Sequence, residues 1–276
     1  MSQQIQAFVD FANQTNYDVY SALINSFAFT AAEGWLVFNN YEYTQPTAYP
    51  PVFQEYTNIQ PQIYNTMRIS NLSDFTIELN GEDPNGNRQL FYTATYANDY
   101  TMLYQLFQQC NSSLQAVVNV TGLSWSLSLQ PIVPAITKFG TETGGNALGL
   151  DPSEGSLARK CSALPTPLLL YPHHHRYTEY SNTPPVALLT ATWTNPSDDA
   201  AVTNAALDMF TKANAYAAAN GKLNEFIYLN YAYKTEKPIS GYGSANVQKL
   251  ESISKKYDPA GIFQNQVPGG FKLATS

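Results

Sequence analysis

Apolar positions change their spacing several times along this chain, and each change marks an element. In residues 4–13 (QIQAFVDFAN), Ile5, Phe8, Val9 and Ala12 recur at helical intervals, which predicts an amphipathic helix. Residues 18–30 and 34–43 are rich in β-branched and aromatic side chains and predict a hairpin pair. Pro46, Pro50, Pro51 and Pro61 then punctuate a loop-rich link with a short helix. Residues 74–79 and 88–96 read as strands on either side of the turn-forming run GEDPNGN. Residues 98–114 read as a helix with Leu103, Leu106 and Phe107 inward, and 116–130 as a strand ended by Pro131 and Pro134.

Further on, the Ala-rich residues 198–220 predict a helix stopped by Gly221, a residue suited to a helix C-terminus. Residues 225–233 predict a strand, and 245–256 a last helix closed by Asp258-Pro259. If 225–233 is a strand, period-2 alternation puts Phe226, Tyr228 and Asn230 on one face and Leu229 and Tyr231 on the other. An Asn in such a strand needs a hydrogen-bonded amide, so Asn230 either holds a neighbouring loop or meets a polar ligand. Hairpins interleaved with helices, without strict βαβ alternation, indicate an α+β fold: a mostly antiparallel sheet with helices packed on one face. Chain ends are usually polar and frayed. Residues 256–273 instead carry Tyr257, Ile262, Phe263, Val267, Phe271 and Leu273, so this tail is expected to dock.

Composition narrows the classes. Only 13% of the 276 residues are charged, against about 25% in an average soluble protein. Tyr, Asn, Gln, Ser and Thr fill the difference, which suits a secretory-lineage protein and a low-charge cytosolic enzyme equally. The net charge of −7 and the lack of any Lys/Arg run argue against nucleic acid and anionic membrane as partners. No apolar run is long enough to span a bilayer. Residues 1–5 have neither a charged nor an apolar leader region, so no signal peptide is expected, and the compartment stays open.

No metal site is expected. Cys110 and Cys161 make no CxxC, and the three histidines, His173, His174 and His175, are consecutive and project in different directions. The glycine run 144–150 (GGNALGL) lacks the Lys-Ser/Thr of a phosphate loop, and no GxSxG motif is present.

Seven stretches in fixed order carry a resemblance: IQAFVDFAN, YTQPTAYPPVF, IQPQIYNTMRIS with LSDFTIEL, SWSLSLQPI, TGGNALGLDP, FIYLNYA and KYDPAGIFQNQVPGGFKL. Together they resemble the C-terminal half of the fungal FAD-linked oxidoreductases of the berberine-bridge-enzyme-like family. The resemblance implies that residues 1–276 are a substrate domain with a berberine-bridge-like segment over about 225–273. It implies an FAD domain that normally lies in the same polypeptide and is absent from this sequence. It further implies FAD as cofactor, a small-molecule substrate of secondary metabolism, and hydride transfer to the flavin, with the redox step carried by the cofactor.

Residue by residue, the resemblance makes Tyr231 the base and sets Asn230 and Tyr228 toward the flavin. Asn146 and Leu148 of the glycine run would line the substrate pocket. Trp125 is placed as a pocket wall or, equally, as a core residue. A phenol needs a partner that favours phenolate before it acts as a base near neutrality. Strict alternation would also turn Tyr231 away from Asn230, so its role requires the strand to end or bulge there.

Residues 159–185 (RKCSALPTPLLLYPHHHRYTEYSNTPP) fit neither period and interrupt the resemblance. The working hypothesis is an intron translated in frame; transcript reads that all contain the segment would sink it. Two rival readings of the whole chain are a flavin-independent cyclase or binding protein, and a non-functional fragment.

Overall fold

The computed structural model describes residues 1–81, 85–150 and 184–273. Helix α1 (Ser2–Ala12) buries Ile5, Phe8, Val9 and Ala12, the stripe its spacing predicts. Strands β1 (Ser21–Thr30) and β2 (Gly34–Tyr43) form the expected hairpin, from Ser21 opposite Tyr43 to Thr30 opposite Gly34. Helix α2 (Gln54–Thr57) follows a single turn that seats Phe53 in the core. Then come α3 (Leu72–Gly81), β3 (Arg88–Tyr96), α4 (Tyr100–Leu114), β4 (Ser124–Pro131) and α5 (Pro134–Glu142). The chain ends with β5 (Pro185–Trp193), α6 (Asp199–Ala219), the two-residue β6 (Leu223–Asn224), α7 (Ser244–Tyr257) and α8 (Ile262–Asn265).

Among the described residues, six strands form one sheet in the order β2-β1-β4-β5-β3-β6, antiparallel at every pairing. This is the α+β fold expected. Alternation divides it into two unlike faces. On one face Phe27, Leu127, Leu189 and Tyr92 lie side by side across four strands. They are covered by α1, α4 and α6, and Phe27, Leu127 and Leu189 are wholly buried. Each such side chain contributes about 1.5–3 kcal/mol by leaving water.

The helices are pinned at their ends. Asp99 caps α4 by accepting the Met102 N–H at 2.8 Å. The same carboxylate pairs with Lys222, whose carbonyl accepts the Ala97 N–H at 2.8 Å. The end of α6 is thereby tied to the start of α4.

Three expectations need correction. Residues 74–79 are helical, inside α3, not a strand. The Asn71 side chain accepts the Asp74 N–H at 3.0 Å and starts that helix, and Arg68 pairs with both Asp74 and Glu78, one turn apart. Of the strand placed at 116–130, only the part from Ser124 is strand; 116–123 is a chain of tight turns in which Val117, Val120 and Leu123 donate to Leu114, Val117 and Val120. Its β-branched Val and Thr residues give a strand signal that local hydrogen bonding overrides.

The third correction concerns 225–233. The ladder beside β3 covers only Thr95 and Tyr96. Beyond it, Asn224 Oδ1 accepts the Phe226 N–H at 2.8 Å, and the Glu236 carboxylate accepts the Thr93 N–H at 3.2 Å. The edge position that residue 226 onward would have paired with is thus taken by a side chain. The chain leaves the sheet, and Leu229–Tyr231 form a single 3-10 turn.

The His173–His175 run, Cys161 and most of the 159–185 segment lie outside the described residues. Its last two residues are described: Pro184 accepts the Ile132 N–H at 3.2 Å, and Pro185 opens β5. No helix among the described residues is long and apolar enough to cross a membrane.

Candidate functional site

The face opposite the helices mixes small polar side chains with Leu188, beside Ser128, and Leu36, beside Ala28. Along β4, Trp125, Leu127 and Leu129 point into the core while Ser124, Ser126, Ser128 and Gln130 point the other way, half-buried. Ser128 pairs with Ser26, their hydroxyl oxygens 2.7 Å apart. Ser126 lies between Ala28 and Thr190. Two exposed aromatics flank this low floor: Phe38 opposite Ser26, and Phe91 opposite Thr190.

At one end of the floor stands Tyr231. Its hydroxyl donates to Gln130 Oε1 at 2.9 Å, and its ring meets Phe91 edge-on with centroids 6.4 Å apart. Tyr228 stacks edge-on to Tyr231 at 4.8 Å, and Asn230 Nδ2 donates to the Tyr228 hydroxyl at 2.9 Å. The 3-10 turn is the cause. Residues three apart eclipse in such a turn, so Tyr228 and Tyr231 fall together. The alternating faces expected for a strand are replaced by one cluster of three side chains. The end of strand that a role for Tyr231 requires is therefore present.

The glycine run reaches the same place. Leu150 packs with Tyr228, Tyr231, Phe226 and Tyr242 in a small second core, which also takes in Phe271 and Leu273 of the tail. Gly149 makes the approach possible: its φ is +73°, and a Cβ there would sit 2.5 Å from the Tyr242 carbonyl oxygen. Asn146 is exposed and its Oδ1 accepts the Leu148 N–H at 2.9 Å, so it shapes the turn. Leu148 is exposed beside it. The tail docks only in part: Phe271 and Leu273 join this core, while Tyr257, Ile262, Phe263 and Val267 are exposed, and the Asp258 carboxylate accepts the Ile262 and Phe263 N–H groups within the tail itself.

Trp125 is not a pocket wall. It is wholly buried on the helix side, where its indole N–H donates to Cys110 Sγ at 3.2 Å. Strand alternation puts it opposite the serines, and burial pushes the Cys110 thiol up to about 12, far from a reactive thiolate.

Two ionisable groups stand near the turn. Burial, reinforced by Tyr228 and Glu42, raises the Tyr231 phenol above its ordinary value. Burial also raises the Glu236 carboxyl to about 7, against the pull of the Tyr233 and Thr93 N–H groups it accepts. Tyr231 is thus held as a hydrogen-bond donor.

Gln130 was not among the side chains singled out by sequence. The signal is present in SWSLSLQ: three serines in alternation are followed by a longer amide, able to reach beyond the sheet.

The serine and alanine positions leave a shallow platform between Phe38 and Phe91, and Tyr231 offers a polar group at its end. The class is an α+β domain with one face of its sheet covered by helices, a fold shared with about half of each of two solved oxidoreductases. 6-Hydroxy-D-nicotine oxidase from Arthrobacter nicotinovorans matches it with a TM-score of 0.55 at 11% identity, over 95% of this chain and 50% of that one. Aclacinomycin oxidoreductase matches with a TM-score of 0.54 at 11% identity, over 96% and 51%.

Among curated proteins, the FAD-dependent monooxygenase sdcF of Emericella nidulans is 29% identical over 98% of this chain and 51% of its own length. The FAD-dependent monooxygenase drtC of Aspergillus calidoustus is 32% identical over 84% of this chain and 39% of its own. Oligopeptidase PhomG' of Diaporthe leptostromiformis is 28% identical over 98% of this chain, which covers 20% of that protein. No protein-family profile matches. The chain thus resembles the C-terminal half of the fungal FAD-linked oxidoreductases of the berberine-bridge-enzyme-like family. It spans about half the length of the first curated relatives it matches.

Proposed function

We propose that this chain is the substrate half of an FAD-linked oxidoreductase acting on a small molecule of fungal secondary metabolism. The observation that carries the reading is the open floor of Ser26, Ala28, Ser126 and Ser128, ending at the Tyr231–Gln130 hydrogen bond. The names of the relatives support FAD as the cofactor. When bound, FAD would accept the hydride. This chain's part is to give the ring a flat surface, to exclude water along the Phe38 and Phe91 flanks, and to hold the Tyr231 proton toward Gln130. In the same reading Asn230 and Tyr228 face the flavin as a pair, and Asn146 and Leu148 rim the substrate entrance. For Tyr231 to accept a proton, the Gln130 amide must turn so that Nε2 donates to the phenolate, a change of partner within one side chain.

Titration of riboflavin, the ring system without the phosphates, tests the floor directly. Quenching of flavin emission is expected to saturate with the wild-type chain and to disappear in Ser126→Trp, which fills the platform. Equal quenching by both proteins overturns the reading.

The raised phenol favours a second reading, a flavin-independent cyclase or binding protein that orients its ligand by hydrogen bonding. Tyr231 donating to a substrate carbonyl suits that role. Turnover by colourless protein supports it; turnover only by yellow protein excludes it.

A further inference from the structure

No residue from Thr57 to Gly81 is buried, yet this arm is ordered by its own contacts. Arg68 donates through Nε and Nη2 to Asp74 at 3.0 and 2.5 Å and pairs through Nη1 with Glu78 at 2.6 Å. Its guanidinium lies 4.8 Å above the Phe75 ring. The Thr66 hydroxyl donates to Glu78 at 2.7 Å, and Gln62 Nε2 donates to the Thr57 carbonyl at 2.6 Å. Ile59 and Met67 anchor the arm to the main core.

The charged groups of the arm are therefore turned toward one another, and six of its large apolar side chains are exposed. Ile63 is 81% exposed, Tyr64 84%, Ile69 65%, Leu72 78%, Ile77 74% and Leu79 46%. Helices shorter than about 12–15 residues are marginal in water without tertiary packing. The ten residues of α3 bury nothing. Single exposed apolar residues are ordinary, but a cluster on a preformed element marks an interaction surface.

We propose that residues 61–81 are the docking surface for the other half of the family polypeptide, a flavin-binding domain, through these six side chains. The proposal rests on the reading above. Its occupant is chosen because the chain spans about half the length of its relatives, whose other half is a body of similar size. Six large side chains on a rigid arm are also of the order needed for one side of a standard interface, about 800 Å².

The test is to co-express the whole chain with the remaining part of the Aspergillus calidoustus relative and to measure complex formation and flavin absorbance. The variant is Ile63→Ser, Tyr64→Ser, Leu72→Ser and Ile77→Ser combined. Alone, it is expected to melt within about 2 °C of wild type, because the replaced groups have no internal contacts to lose. Its binding to the partner is expected to fall at least tenfold. A variant that binds as well as wild type overturns the proposal, as does wild type that forms no complex. A wild-type homodimer dissolved by the variant assigns the arm to a second copy and also overturns it. So does a large drop in the melting temperature of the variant alone, which would show the arm packing on its own body. A yellow complex indifferent to the variant removes the arm surface and leaves the proposed function standing. An arm-dependent complex without flavin does the reverse.

Discussion

Strand β4 carries Trp125, Leu127 and Leu129 on one side and Ser124, Ser126, Ser128 and Gln130 on the other. The first set is sealed under helices; the second is half-covered, with Ser128 bonded to Ser26 and Gln130 to Tyr231. The same backbone thus supports two surfaces with opposite demands. The covered side holds the strands in register, because a slip of one residue would exchange Leu for Ser throughout. The open side is relieved of that duty and is free to be shaped for a ligand.

The contrast breaks most sharply at Trp125. Trp125→Ala should cost about 3–5 kcal/mol in urea unfolding, through lost burial and the cavity left beside Cys110. Ser126→Ala, one position along on the open side, should stay within about 0.5 kcal/mol. Comparable losses at both positions would mean that the two faces are not divided in this way.

A smaller effect is expected at the sheet margin. The Glu236 carboxyl rises from 4.5 to about 7 in the folded chain. The folded state therefore holds a proton that the unfolded chain has released. Stability from this group is complete below pH 4.5 and is lost as pH rises through 7. Glu236→Gln keeps an acceptor for Thr93 and cannot ionise, so its unfolding free energy should be flatter between pH 4.5 and 7. At pH 8 it should exceed wild type by about 1–2 kcal/mol, allowing for partial solvent screening. Chemical denaturation at four pH values measures both.

Tyr231→Phe should cost about 1 kcal/mol for one half-buried hydrogen bond. It sharpens the comparison through activity. In flavin-loaded protein its turnover should fall about 10²–10⁴-fold if Tyr231 moves a proton. Gln130→Leu should produce a similar loss in kcat with little change in flavin affinity.

The sequence reading succeeded where one face of an element is buried. The α1 stripe, the β1–β2 hairpin, β3 and α6 all declared their period because a core enforces it. It failed where local hydrogen bonds decide the conformation. In α3 an Asn side chain and three charged residues make a helix from a segment whose Phe, Ile and Leu also fit a strand. At 225–233 the apolar run is genuine, but Asn224 and Glu236 take the groups that a ladder would need. The Tyr228–Asn230–Tyr231 cluster was read as belonging to a strand for that reason. Gln130 escaped because its meaning depends on what lies across the sheet.

The last strand of this sheet is only two residues long, and Glu236 covers the next N–H along. A bare margin invites another extended chain to add itself, and then another. The carboxylate works as a stopper against such growth. Glu236→Ala would leave the Thr93 N–H open, and concentrated protein should then thicken slowly into threads that bind thioflavin, while Glu236→Gln should remain clear.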